Sequence, residues 1–236
     1  MKNLIFAILT LFLITACGGD TQNDLPEMED TPAGPTTPFE DSSEARYRVS
    51  FVSTWSSLTH PTQFPSNPHF SGLVGAVHNS SASLWTLNGF STQGMEDMAE
   101  FGGKSALLSE VQTLINQGDA LSTLSGGGIS RSPGMVSLEF TIEEDYPLVS
   151  LVSMLAPSPD WFVGVSSLNL FPNGSWIELI AINLELYDSG TDDGASFASA
   201  NSDSNQPITR LTSNPSDSDF ILGRPFVGQF IFERIE

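Results

Sequence analysis

Leu148-Val149-Ser150-Leu151-Val152-Ser153-Met154-Leu155 runs into Ala156-Pro157-Ser158-Pro159-Asp160-Trp161-Phe162-Val163-Gly164, and the apolar character resumes through Leu170. Two short apolar runs punctuated by prolines and serines read as strands on either side of a turn. Pro159 fixes φ ahead of Asp160 and holds that turn rigid. A third apolar run, Trp176–Leu186, ends in Tyr187-Asp188-Ser189-Gly190-Thr191-Asp192-Asp193-Gly194. Gly190 and Gly194 permit tight curvature there. Each turn therefore places carboxylates at the end of a strand-like segment.

The same texture extends outward. Tyr47–Val52 and Val136–Ile142 alternate apolar and polar residues with the period of a half-buried strand. Phe226–Ile235 is a further strand candidate. Lys104–Gln117 has helical spacing, with Leu107, Leu108, Val111, Leu114 and Ile115 on one face, Ser105 as cap and Gly118 as stop. Met95–Glu100 reads as a shorter helical piece. Several strands with one or two short helices predict a mainly β fold, an antiparallel β-sandwich. Trp55, Trp85, Trp161 and Trp176 are dispersed among apolar runs and are expected in the core or anchoring loops.

The N-terminus has a different character. Met1-Lys2-Asn3 precedes an apolar stretch to Ala16 that is too short to span a bilayer, the pattern of an export signal. Leu13-Ile14-Thr15-Ala16-Cys17 resembles a bacterial lipobox, which implies residues 1–17 as a lipoprotein signal with Cys17 lipidated. Cys17 is the only cysteine, so no intramolecular disulfide exists. Residues 18–45 are poor in aliphatics and rich in Pro, Thr, Asp and Glu, a composition that cannot offset its ordering entropy and predicts an extended tether. Residues 46–236 are then one folded domain. The expected location is the bacterial cell envelope, at the outer membrane or cell surface, attached to membrane through the lipid alone.

A formal charge of −20, from 28 acids and 8 bases, repels nucleic acid and anionic headgroups. It attracts divalent cations. Calcium takes six to eight oxygens from carboxylates, carbonyls and water. Asp160, Asp188 and Asp192 are the candidate ligands, and Glu139 on a neighbouring strand is a fourth. Carboxylates gathered without a cation repel one another at a cost of several kcal/mol. On residue type alone the alternative stays open that each aspartate merely caps its own turn. The spacing does not fit an EF-hand: counting from Asp188, the third position is Gly190 and the twelfth Ser199.

Other chemistries find little support. His60, His69 and His78 lie nine residues apart, a spacing unlike a local zinc site, and are expected in core or turn hydrogen bonds. No G-x-S-x-G or H-E-x-x-H occurs, and Met98 stands where a phosphate loop ending at Lys104-Ser105 needs its first glycine. No catalytic residue is expected.

Ala156-Pro157-Ser158-Pro159-Asp160-Trp161-Phe162-Val163-Gly164 and Tyr187-Asp188-Ser189-Gly190-Thr191-Asp192 resemble the spondin-domain family, the N-terminal module of F-spondin and mindin. Trp55-Ser56-Ser57-Leu58-Thr59-His60-Pro61, Phe70–His78, Leu84-Trp85 and Met98–Gly102 match it in order from about Tyr47 to Phe197. The resemblance implies a C2-like β-sandwich that binds calcium through Asp160, Asp188 and Asp192. It implies a glutamate as well, at Glu139 or Glu143. It further implies a non-catalytic adhesion or ligand-binding module whose partner is an extracellular glycan or protein. A purely structural envelope lipoprotein and a secreted hydrolase are the rival readings.

Overall fold

The computed structural model describes residues 42–211 and 226–236. The expected signal, Cys17 and most of the expected tether lie outside the described residues. Eleven strands and two α-helices are described: β1 (Glu44–Ser53), β2 (His69–Phe70), β3 (Val74–His78), α1 (Gln93–Phe101), α2 (Ser105–Gln117), β4 (Ala120–Ser125), β5 (Gly134–Glu143), β6 (Leu148–Ala156), β7 (Trp161–Asn169), β8 (Leu179–Asn183), β9 (Tyr187–Asp188), β10 (Thr209–Arg210) and β11 (Gly228–Arg234). The expected mainly β, antiparallel sandwich is what forms. One sheet has the order β5-β1-β11-β8 and the other β10-β9-β7-β6-β3-β4, with β2 beside β6. The pairings between these strands are antiparallel.

Burial follows the alternation of side chains along each strand. On β1, Ala45, Tyr47, Val49 and Phe51 point inward, where they meet Phe230 and Phe232 of β11 and residues of the facing sheet. β6 is buried on both faces, and its near-continuous apolar sequence has that cause. Val149, Leu151 and Leu155 fill the space between the sheets, while Val152, Met154 and Ala156 pack under the helices with Met95, Met98, Leu107 and Val111. The fold thus has three layers: sheet, sheet and helix pair. Trp55, Trp85, Trp161 and Trp176 are all buried.

Some boundaries differ from the sequence reading. β1 takes in Glu44 and Ala45, because Ala45 is buried opposite Ile142. The apolar run Trp176–Leu186 is not one strand. Its middle forms β8 in the four-stranded sheet, Leu184 and Leu186 plunge into the core, and the chain then joins the other sheet as β9. Lys104, not Ser105, occupies the N-cap of α2 and gives no side-chain cap, so Ser105 is the first helical residue. Gly118 closes α2 in the left-handed conformation, as expected. α1 starts at Gln93, two residues before the expected segment, and Thr92 caps it by accepting a hydrogen bond from the Met95 N–H.

Candidate metal centre

The two proline- and glycine-shaped turns meet at one end of the larger sheet. β9 pairs with the start of β7, with Asp188 opposite Trp161. The Ser158 hydroxyl donates to the Leu155 carbonyl and accepts from the Trp161 N–H, which fixes the first turn. Buried Trp161 packs against Phe197 beneath it, with ring centroids 5.3 Å apart. In the second turn Gly190 has φ of 74° and its N–H donates to Asp188 Oδ1 at 2.9 Å. A Cβ at Gly190 would stand 2.2 Å from the Gln206 carbonyl oxygen, so the loop closes around that glycine. Gly194 lies against Pro159, where an added Cβ would come within 2.7 Å of the proline ring.

Asp160 is the hub. It has no exposed surface. Its Oδ2 accepts the Thr191 N–H at 2.8 Å and the Asp192 N–H at 3.2 Å, and its backbone carbonyl accepts the Ser189 N–H. Its Oδ1 is buried with no hydrogen-bond partner. Burial and then the Asp188 charge push the carboxyl up to about 7, against the pull of the two N–H donors; Asp192 adds to the rise. Asp188 is also raised, chiefly by burial, with Asp193 and Asp192 contributing and the Gly190 N–H opposing. The charged groups acting on Asp160 and Asp188 are all carboxylates. Asp192 is oriented by the Gly194 N–H at 2.6 Å and the Ser202 N–H at 3.3 Å.

The structure brings together Asp160, Asp188 and Asp192. It does not bring Glu139 to them. Glu139 sits on β5 in the other sheet, opposite Arg48, and pairs with Arg46 at 2.7 Å and Arg48 at 2.8 Å. The Arg48 hydrogen bond leads the effects that hold its carboxyl below the ordinary range. Glu143, the other residue left open, lies on β5 opposite Glu44. A further acid whose charge acts near this loop is Glu100 of α1, whose carboxyl is raised chiefly by burial, with Glu96, Asp192 and Asp203 adding to the rise.

Among the described residues no three His, Cys, Asp or Glu side chains stand close enough together, as placed, to hold a metal ion. The donors at the loop nevertheless suit a hard cation. An unpartnered, fully buried carboxylate oxygen is costly, on the order of 1–3 kcal/mol, and a cation at Oδ1 removes that cost. The available donors are oxygens, the chemistry of calcium rather than of a soft metal. The histidines take the other roles expected of them. His78 is buried against the Ser150 hydroxyl at 2.8 Å, His60 contacts Thr59, and His69 contacts the Asn67 carbonyl.

Fold and loop end together define a two-sheet antiparallel β-sandwich with carboxylates concentrated at one end. The family model described as Spondin_N matches residues 45–222. The chain belongs to the spondin N-terminal domain family. It is 37% identical to Spondin-2 of Homo sapiens over 164 residues, covering 66% of this chain and 49% of the relative. It is 33% identical to Spondin-2 of Rattus norvegicus over 211 residues, covering 85% of this chain and 61% of the relative. Spondin-1 of Gallus gallus is 31% identical over 169 residues, 66% of this chain but 20% of the relative. The chain thus spans between a fifth and about three-fifths of the length of these relatives.

Proposed function

We propose that this domain is a non-catalytic, calcium-binding adhesion or ligand-binding module, exported and held at the cell envelope through a lipid on Cys17. The observation that carries the calcium reading is the buried, unpartnered Oδ1 of Asp160 beside two more aspartates. Asp160, Asp188 and Asp192 would hold the ion. The ion would offset their repulsion and leave a charged, rigid loop end to meet a partner. Membership in the spondin N-terminal domain family supports an extracellular glycan or protein as that partner.

The fold offers little to a hydrolase reading. A cleft of about 940 Å3 is lined by Arg46, Glu139, Thr141 and Arg234. Its Glu139 is held ionised by two arginines, the opposite of what a general acid requires. Among the described residues no helix is long and apolar enough to cross a membrane.

The test is thermal unfolding of the purified chain with calcium and with a chelator. Calcium raises the melting temperature of the wild type, and Asp188→Ala with Asp192→Ala removes the rise. A rise that persists in the double variant rules out this site. Binding of the purified domain to glycan arrays and to cells, with and without chelator, then separates a ligand-binding module from a purely structural envelope protein.

A further inference from the structure

β5 is a long strand left at a sheet edge. It runs ten residues, Gly134–Glu143, and pairs with β1 along its whole length without a register shift. Among the described residues no strand lies on its other side. Every second residue of such a strand turns its backbone N–H and C=O away from the one neighbour it has. The other sheet edges are shorter: β4 has six residues, β8 five and β10 two. Long edges are ordinarily blunted by a proline, a bulge or an unclaimed charge, because a bare edge is a template for another extended chain. β5 has none of these along its middle. Pro133 precedes the strand, and the central Glu139 is claimed by Arg46 and Arg48 of its own sheet.

The side chains of this edge are apolar toward the core. Val136 and Leu138 are half-buried and pack against the core from its rim, as does Leu121 of neighbouring β4. Leu121, Leu124, Leu138 and Phe140 line a groove of about 470 Å3 between the two strands. The two ends of β5 carry opposite charge. Exposed Arg131 lies just before the strand, and Glu143, Glu144 and Asp145 lie at its end. None of these four forms an ion pair among the described residues.

Opposite charges at the two ends of one strand select its neighbour. An antiparallel partner of the same polarity sets its acids against Arg131 and its cation against the acids. A second copy of β5 has that polarity. Two antiparallel copies centred on Leu138 set Leu138 opposite Leu138, Val136 opposite Phe140, Ser137 opposite Glu139 and Met135 opposite Thr141. Apolar side chains then meet on the core side, and 67% exposed Met135 is covered. Centring on Glu139 instead keeps the same overlap but sets two carboxylates opposite each other, which is unfavourable. Charge thus chooses between the two registers.

We propose that the β5 edge is a self-association surface, through which two copies of the chain pair antiparallel about a two-fold axis at Leu138. The product is one continuous sheet of eight strands, four from each copy. The same strand serves both copies, so assembly closes at two. Arg131 of each copy meets the Glu143–Asp145 end of the other. The chain's formal charge of −20 opposes association at long range, and salt at about 0.15 M screens that repulsion beyond about 8 Å. Pairing here is separate from the calcium reading, because Asp160 belongs to the other sheet.

The test is sedimentation equilibrium of the whole chain at about 0.15 M salt. It compares wild type, Arg131→Glu, Glu144→Lys with Asp145→Lys, and an equal mixture of the two variants. Wild type should show a monomer–dimer equilibrium. Each variant alone repels itself at both ends of β5, so its dimer dissociation constant should rise at least about 10-fold. The mixture should dimerise with near wild-type affinity, because each reversal complements the other. The altered residues are exposed, so both variants should keep the wild-type melting temperature to within a few degrees. A wild type that stays monomeric up to its solubility limit overturns the proposal and leaves the edge to an extended segment of another sequence. A dimer that neither variant weakens, or a mixture that does not recover, overturns it as well.

Discussion

Asp160→Asn removes a charge whose cost can be worked from its surroundings. In the calcium-free protein, burial and the Asp188 charge raise this carboxyl from its ordinary 3.8 to about 7. The native state therefore holds the proton more tightly than the unfolded chain. The stability linked to that proton is complete below pH 3.8 and is lost as pH climbs through about 7. Each pH unit between those values is worth about 1.4 kcal/mol, so the loss by pH 8 is about 4 kcal/mol. For a domain of this size that corresponds to about 8–16 °C in melting temperature. The amide introduced by the substitution cannot ionise, and its oxygen can still accept the Thr191 and Asp192 N–H groups. In calcium-free buffer, wild type and variant should melt within a few degrees of each other at pH 4. By pH 8 the variant should be the more stable by about 8–16 °C. Calcium at about 100 times its Kd returns about 2.7 kcal/mol to the wild type and nothing to the variant. Differential scanning calorimetry across this pH range reads both effects. A constant difference between the two proteins from pH 4 to pH 8, or a calcium response retained in Asp160→Asn, would refute the reasoning.

Three further outcomes follow from the same structure. Gly190→Ala drives a Cβ to within 2.2 Å of the Gln206 carbonyl at a φ of 74°, so it should cost at least about 1–3 kcal/mol and abolish the calcium-dependent rise in melting temperature. Glu139→Gln should leave calcium affinity unchanged in a calorimetric calcium titration of the metal-free chain, because its partners are Arg46 and Arg48. Phe230→Ala empties a fully buried position between the sheets and should cost about 3–5 kcal/mol in urea unfolding, at calcium-free and calcium-saturated conditions alike.

The parts of this site that were legible in sequence are those made by local chemistry. Pro157-Ser158-Pro159-Asp160 and Asp188-Ser189-Gly190-Thr191-Asp192 announce rigid turns bearing carboxylates, and antiparallel pairing of β9 with β7 brings them together. β6 was legible as a strand, and its unbroken apolar sequence reflects burial on both faces. Glu139 misled because its local pattern, an acid on an alternating strand, does not reveal the strand's position. Register sets Glu139 opposite Arg48 in the other sheet, and two arginines claim it. The influence of Glu100 near the loop was hidden for the converse reason: it depends on the packing of α1 against the larger sheet. The division of Trp176–Leu186 between two sheets was equally hidden, since Leu184 and Leu186 are apolar whether they continue a strand or cross the core.

Counting calcium ions and protons together tests the central claim most directly. Calcium is titrated into the metal-free chain at pH 6, below the value to which Asp160 is raised, in buffers of different ionisation enthalpy. A site built on Asp160, Asp188 and Asp192 binds one calcium per chain and releases close to one proton, because the ion displaces the proton held on Asp160. At pH 8 the stoichiometry stays the same and the proton release fades. Absence of binding, or binding with no proton release at pH 6, contradicts the account.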